Sequence, residues 1–306
     1  MSLGRAPVSP GATRPRYLAS CLGLWVALLA VASCAACSRS SASGGSAPEA
    51  RRIVSLGPAT TEALFAVGAG DRLVGRSRFD DYPPEVAKVP DVGGIEPDVE
   101  AILELHPDLV VGPSGHWSAG LAQTMHAHGI ATWFPDENGS LAEVDALVVG
   151  VGTRAGHAAD AARVVEALHA REAAVEQAVA AAPRPRVLVV VGTTPVVVAA
   201  GPGSFVDELL HRAGARNAVT AGGGWPTLDM EHVVELDPDV VVDATVAETG
   251  GETHITPDAT GWKGLRAVRE GQVVPLRDQR VLRPGPRIAE GLAVLARALH
   301  PDVPVP

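Results

Sequence analysis

From residue 51 onward the chain alternates short apolar runs with longer stretches of helical periodicity. "RIVSL" (52–56), "RLVG" (72–75), "DLVVG" (108–112) and "ATWF" (131–134) read as strands bounded by glycine, proline and aspartate. Between them, "PATTEALFAVG" is a helix stopped at Gly68, and "SAGLAQTMHAHG" one closed by Gly129. A further helix is expected from Ser140, with Glu143 three residues on completing a capping box. The second half repeats the scheme: "RVLVVV", "GSFVDELLHRAGA", "DVVVD", "WKGLRAVRE", "VVPL" and "PRIAEGLAVLARALH". Strands separated by helices of this length predict parallel sheets with crossover helices on their faces.

One unit is written twice. "DVEAILELHPDLVVG" (98–112) and "DMEHVVELDPDVVVD" (229–243) share eight of fifteen positions at an offset of 131 residues, Glu100 and Glu231 among them. "EALFAVGA" (62–69) echoes "ELLHRAGA" (208–215) in the same sense. Two α/β lobes of one plan are expected, over 51–153 and 184–306. The segment between them, 154–183, is alanine-rich and ends at Pro183. Val164, Leu168, Val175 and Val179 share one stripe of it. A helix of about 26 residues would run roughly 40 Å, a stiff connector between the lobes.

The first 37 residues stand apart from this pattern. Arg14 and Arg16 precede the apolar run "CLGLWVALLAVAS", which has the length of a signal-peptide core and is too short to span a bilayer. It ends in "VASC", the branched–small–small–Cys order of a lipoprotein signal, so Cys34 is the expected lipidated residue and membrane anchor. Cys21 lacks a preceding apolar region, and Cys37 has a cysteine where the branched residue belongs. Residues 38–50 are a Ser/Gly-rich tether.

Composition narrows the function classes. A net charge of −10 speaks against a general nucleic-acid binder, because phosphate attraction needs a basic face. Only two of the 25 basic residues are lysines, Lys88 and Lys263, a bias of a GC-rich genome more than of function. All three cysteines lie in the leader, so residues 38–306 hold no disulfide, thiolate metal site or cysteine nucleophile. There is no nucleophile elbow, H-E-x-x-H or phosphate-cradling G-x-x-x-x-G-K. "GVGTRA" (150–155) fits G-x-G-x-x-[GA], but no strand follows until Arg186, so small residues at a crowded helix junction are the better account. Asp80 and Asp81, beside "YPPE", are read as turn formers.

The lipoprotein signal with two lobes on one long helix resembles the periplasmic-binding-protein family that serves ABC importers of cobalamin, haem and ferric siderophores. The segments that carry the likeness are "IVSLGPATTEALFAVGAGDRLVG", "GPGSFVDELLHRAGARNAV" and "RPGPRIAEGLAVLARALHP", across residues 51–303. "SRFDDYPPEVAKVPDVGG" and "WPTLDMEHVVELDPDVVV" are similar to cobalamin-binding members. The resemblance implies two Rossmann-like α/β lobes joined by one long α-helix, with the ligand cleft between them. It implies a binding protein and not an enzyme, a monomer with no cofactor of its own, and a permease with its ATPase as partners. Glu100 and Glu231 match the one glutamate on each lobe that docks onto permease arginines. Phe79, Trp225 and Arg283 match ligand-contacting positions, and Pro58 and Ala59 sit on the cleft-facing first turn. Gly94 and Pro113 stand where two tryptophans are expected; His116 and Trp117 offer a substitute wall. Haem would call on His116 or Tyr82 as axial ligand, and an anionic siderophore on Arg76, Arg78 and Arg283. Corrinoid capture is the leading expectation. An enzyme on the same scaffold and a ligand-free lipoprotein scaffold are the competing classes.

Overall fold

The computed structural model describes residues 49–135, 139–249 and 251–306. Cys34, the leader 1–37 and most of the tether lie outside the described residues. The first lobe runs β1 (Ile53–Ser55), α1 (Pro58–Ala66), β2 (Leu73–Arg76), α2 (Val99–Glu104), β3 (Leu109–Val111), α3 (Ser118–Ala127), β4 (Ala131–Trp133) and α4 (Ala142–Arg154). Its strands form one parallel sheet in the order β2-β1-β3-β4. Alternate residues serve opposite faces, as the two-residue period of a strand requires. Ile53, Leu109 and Val111 pack with Leu64, Val148 and Val151 of α1 and α4. Val54 and Val110 pack with Ile102, Leu121 and Met125 of α2 and α3.

The connector α5 (Ala158–Val179) follows. It has 22 residues, about 33 Å of helix, shorter than the sequence pattern predicts. Gly156, at φ 67°, breaks the chain between α4 and α5, and the alanines before Pro183 leave the helix in a turn. Leu168, Val175 and Val179 are buried against the second lobe, whereas Val164 touches the cores of both.

The second lobe comprises β5 (Arg186–Gly192), β6 (Val197–Ala199), α6 (Phe205–Arg212), β7 (Arg216–Asn217), β8 (Thr227–Leu228), α7 (Met230–Leu236), β9 (Val240–Asp243), α8 (Thr245–Thr249), α9 (Arg266–Arg269), β10 (Val273–Pro275) and α10 (Ile288–Leu299). Its sheet runs β10-β9-β5-β6-β8, with β7 also on β5. β10, β9, β5 and β7 are parallel, but β6 returns antiparallel to β5 and pairs β8 antiparallel. Only residues 193–196 join β5 to β6, too few for a crossover helix, so the second lobe is not a plain copy of the first.

The repeated unit is copied in fine detail. Asp98 caps α2 by accepting from the Ala101 amide at 3.1 Å, and Asp229 caps α7 by accepting from the His232 amide at 2.8 Å. Both helices are followed by a left-handed residue and then a proline: His106 (φ 46°) before Pro107, and Asp237 (φ 37°) before Pro238. Asp108 next accepts from the Arg51 and Arg52 amides, and Asp239 from the Arg186 amide at 2.9 Å, tying β3 to β1 and β9 to β5. The Arg186 amide is the main reason the Asp239 carboxyl titrates below its ordinary range.

One local reading changes. Ser140 makes no cap; α4 starts at Ala142, and the Glu143 carboxylate accepts from the Gly139 amide at 3.0 Å. "GVGTRA" lies in the last turns of α4, not at a strand–helix turn, and its glycines serve packing. A Cβ on Gly150 would stand 2.3 Å from the Trp133 ring, and one on Gly152 2.5 Å from the Ala161 Cβ.

Gly152→Val is therefore expected to lower unfolding stability by about 1–3 kcal/mol through overpacking at the α4–α5 contact. Gly120→Ala, in α3 with open space around it, is expected to raise stability by roughly 0.5–1 kcal/mol. Urea unfolding of both variants checks the contrast. A Gly152→Val protein as stable as the parent would deny the close packing of the connector.

Candidate functional site

The loops that leave the parallel strands face each other across a cleft between the lobes, the usual position for a ligand in an α/β protein. After β1, Ser55 Oγ and Thr60 Oγ1 lie 2.7 Å apart, and Thr60 Oγ1 donates to the Gly57 carbonyl at 2.7 Å. This turn starts α1 at once, with Pro58 at a position where a missing N–H costs nothing. Gly57 is required because a Cβ would stand 2.8 Å from the Pro113 ring. The result sets Pro58 and Ala59 on the cleft wall.

The loop after β2 is nailed down by a buried carboxylate. Asp80 accepts from Thr61 Oγ1 (2.5 Å), Ser77 Oγ (2.5 Å) and the Ser77 amide (3.2 Å). Burial raises its pKa, against the pull of these bonds. Asp80 thus fastens the loop to α1 and leaves its neighbours, Phe79 and Asp81, facing the cleft. Asp80 and Asp81 therefore do more than form a turn.

Two arginines of the second lobe meet this surface. Arg287 grips Glu62 of α1 with both arms of its guanidinium, Nε to Oε2 at 2.9 Å and Nη2 to Oε1 at 2.5 Å. Arg283 Nη1 donates to Glu62 Oε1 at 3.1 Å and to Asp81 Oδ1 at 2.6 Å, while its Nη2 donates to Gln279 Oε1 at 2.8 Å. The Arg287 guanidinium also lies over the Tyr82 ring, 3.7 Å from its centroid. Glu62 is only 3% exposed, so this is an interlobe ion cluster of two charges of each sign built on a buried carboxylate, with Asp81 at its exposed edge. Burial works to raise the Asp81 pKa, but the bonds and charge of Arg283 outweigh it and hold the carboxyl below its ordinary value.

Of the concavities near the cluster, two share Pro284. The larger, about 720 Å³, is walled by Pro58, Ala59, Phe79, Ile95, Pro113 and Arg283, among others. The other, about 370 Å³, is walled by Trp225, Phe205 and Ser204 from the second lobe and by Pro135, Val144 and Leu147 from the first. Trp225 stands at the end of a glycine-rich loop, 45% exposed and edge-on to Phe205 with centroids 5.8 Å apart. Gly201 is needed beneath it, because a Cβ there would lie 2.1 Å from the Gly223 carbonyl oxygen.

The remaining predicted residues fall elsewhere. His116 and Trp117 line neither concavity. Trp117 is half-buried and packs edge-on against Phe134, at 5.4 Å between centroids, and exposed His116 stands 3.8 Å from Glu96. Arg76 donates to the Ser77 carbonyl, and Arg78 lies 3.9 Å from Asp91. Glu100 and Glu231 occupy the same position in the first turn of α2 and α7, both exposed. Neither makes an ion pair or hydrogen bond among the described residues. The sequence reading missed Glu62 and Arg287. The signal was present: a single acid in the otherwise uncharged "PATTEALFA", and two arginines bracketing "PGP". Ile95, 75% exposed yet lining the larger concavity, was missed as well.

Known proteins of this architecture are similar to the chain. A family profile described as periplasmic binding protein matches residues 53–280. An uncharacterized ABC transporter substrate-binding lipoprotein of Bacillus subtilis strain 168 is 29% identical over 259 residues, 83% of this chain and 81% of the relative. A cobalamin-binding protein of Halobacterium salinarum is 30% identical over 262 residues, 82% of this chain and 70% of the relative. The solved structure of the periplasmic heme-binding protein RhuT from Roseiflexus sp. RS-1, in apo form, matches with a TM-score of 0.72 at 27% identity. It covers 82% of this chain and 98% of that one.

Removing the carboxylate at the centre of the ion cluster leaves two guanidiniums facing each other. Glu62→Gln is expected to cost about 3 kcal/mol, the lower end of the range for breaking a buried pair, because both arginines retain some solvent contact. Asp81→Asn should cost less, and its cost has a pH signature. A carboxyl whose pKa is lowered by folding contributes fully above its unfolded value, near pH 4, and loses that contribution as pH falls through the folded value. Denaturant unfolding across this window reads both effects. An Asp81→Asn penalty that stays constant below it would show that Asp81 is not charged against Arg283.

Proposed function

This chain belongs to the periplasmic binding protein family, and from that premise we propose that it captures a corrinoid such as cobalamin for an ABC importer. The observation that carries the ligand class is the chemistry of the cleft wall. Proline, alanine, phenylalanine, isoleucine and tryptophan supply much of it, and none of the described residues lining either concavity is His, Tyr, Cys or Met. Haem iron is ordinarily held by such an axial ligand. Cobalamin brings its own nucleotide base to cobalt and presents neutral amides around an apolar macrocycle. An anionic ferric siderophore calls for free cationic groups, and the one arginine in the wall is already paired with Asp81 and Glu62. Haem is the second reading, favoured by the likeness to the haem-binding Roseiflexus protein.

In this reading Pro58, Ala59 and Phe79 form the first-lobe wall, Trp225 closes from the second lobe, and Arg283 meets the polar rim. Glu100 and Glu231 dock the loaded protein onto arginines of a permease, which works with its own ATPase. Two acids on matched helix starts, each left without an internal partner, support docking over a purely local role. The local role is complementing the helix dipole, worth about 0.3–1 kcal/mol. The protein is exported, held at the membrane by lipid on Cys34, and acts as a monomer.

Trp225→Ala removes a large, rigid stacking surface and is expected to weaken cyanocobalamin binding by about 1–3 kcal/mol, by analogy with base–aromatic stacking. Its melting temperature should hardly move, since the indole is half-exposed. Titration calorimetry measures the loss; unchanged affinity would take Trp225 out of the site.

Glu100→Ala and Glu231→Ala should each keep ligand affinity and weaken binding to the permease, the double variant more than either. Losses are expected to be modest and larger at low salt, as for charges at a wet rim. Permease binding and uptake equal to the parent's in the double variant would reduce both glutamates to helix-dipole partners.

A further inference from the structure

We propose that Asp81 sets the charge selectivity of the cleft: by occupying the Arg283 guanidinium it keeps the wall electrically neutral and turns away anionic ligands. The proposal rests on reading the cleft as a macrocycle site and deepens it by naming the residue that excludes a class of competitor. Its basis is the division of labour within the ion cluster. Both oxygens of buried Glu62 are taken by the fork of Arg287, and Arg283 adds one further bond. Glu62 is thus neutralised without Asp81. Asp81 reaches Arg283 at 2.6 and 3.4 Å from the opposite lobe while remaining 58% exposed, and both side chains line the larger concavity.

The neighbouring guanidiniums are otherwise engaged. Arg280 is held by Asp278 and Glu290, and Arg277 donates to the Gly251 carbonyl at 2.7 Å. Arg283 is therefore the cation of this wall whose compensation comes from an exposed acid within a ligand's reach. An incoming carboxylate finds its natural partner taken and a second negative charge beside it, a like-charge contact that works against binding. A neutral, amide-rimmed ligand meets no such opposition. Exchanging Asp81 for asparagine keeps the shape, removes the negative charge and leaves Arg283 as an unmatched cation facing the concavity.

The test measures dissociation constants of haemin, whose propionates carry the negative charge, for the purified wild type, Asp81→Asn, Asp81→Glu and Asp81→Asn/Arg283→Gln. At low salt Asp81→Asn is expected to bind haemin about tenfold more tightly than wild type, or to gain binding where the wild type shows none. The gain should fade towards about 0.5 M salt, where the Debye length is only a few ångströms. Asp81→Glu should behave as wild type, and the double variant should lose the gain. Haemin affinity unchanged in Asp81→Asn, or a gain that survives the loss of Arg283, would overturn the proposal. Thermal melting verifies that each variant folds. Should Asp81→Asn not fold, the wild type decides: haemin binding absent or indifferent to salt supports a neutral wall, and steep weakening with salt overturns it. Cyanocobalamin is titrated in parallel. Its failure to bind the wild type would sink the corrinoid reading alone, because the haemin comparison does not depend on it.

Discussion

A buried carboxylate whose cationic partners among the described residues both come from the other lobe is the constraint on which the cleft depends. Glu62 sits in the first helix of the first lobe, almost wholly shielded from water, and its hydrogen-bond partners are arginines of the second lobe. An unpaired charge at such a depth is expensive, so the lobes cannot separate at this point without exposing or neutralising it. The connector bears on the same problem from behind: it packs on both lobes, and Val164 belongs to the edges of both cores. Helix and ionic clamp both oppose separation of the lobes. Walls held in this way would leave less of a ligand's binding free energy to be spent on ordering the site.

The clamp also shapes what the cleft is able to hold. Arg283 belongs at once to the structural cluster and to the wall of the larger concavity, where its charge is already paired. The remaining wall is mostly apolar, with Phe79 and Ile95 exposed on one side and Trp225 on the other. Exposed large apolar side chains gathered around one concavity are a mark of a binding surface more than of a solvated one. Their presence beside a neutralised arginine is what directs the reading to a bulky, uncharged macrocycle.

Much of the architecture was legible in the chain itself. The 131-residue repeat extends in three dimensions to the capping aspartates, the left-handed residues before Pro107 and Pro238, and the carboxylates that open β3 and β9. Local rules govern these features, so a local reading finds them. The antiparallel β6–β8 insertion was not legible, because "VVVA" has no alternation and no crossover length to mark its direction. The site divided in the same way. Pro58, Ala59, Phe79 and Arg283, legible on the strand-end turns and in "RPGPR", line one concavity, with Trp225 on the next. His116 and Trp117, chosen for proximity in sequence, point to other neighbours. The pairing of Glu62 with Arg287 spans 225 residues, so local spacing marks each residue as unusual without joining the two. Pairing of that kind is visible only once the lobes are seen together.

Preformation of the cleft by the Glu62 clamp is tested most directly by the separation of the lobes. Spin labels at Glu104→Cys and Glu235→Cys, matched exposed positions of α2 and α7, would be placed in a chain whose Cys21, Cys34 and Cys37 are replaced by serine. Pulsed dipolar spectroscopy should give one narrow interlobe distance that persists when cyanocobalamin is added and broadens in Glu62→Gln. A broad distribution in the parent chain, or one that Glu62→Gln leaves untouched, would contradict it.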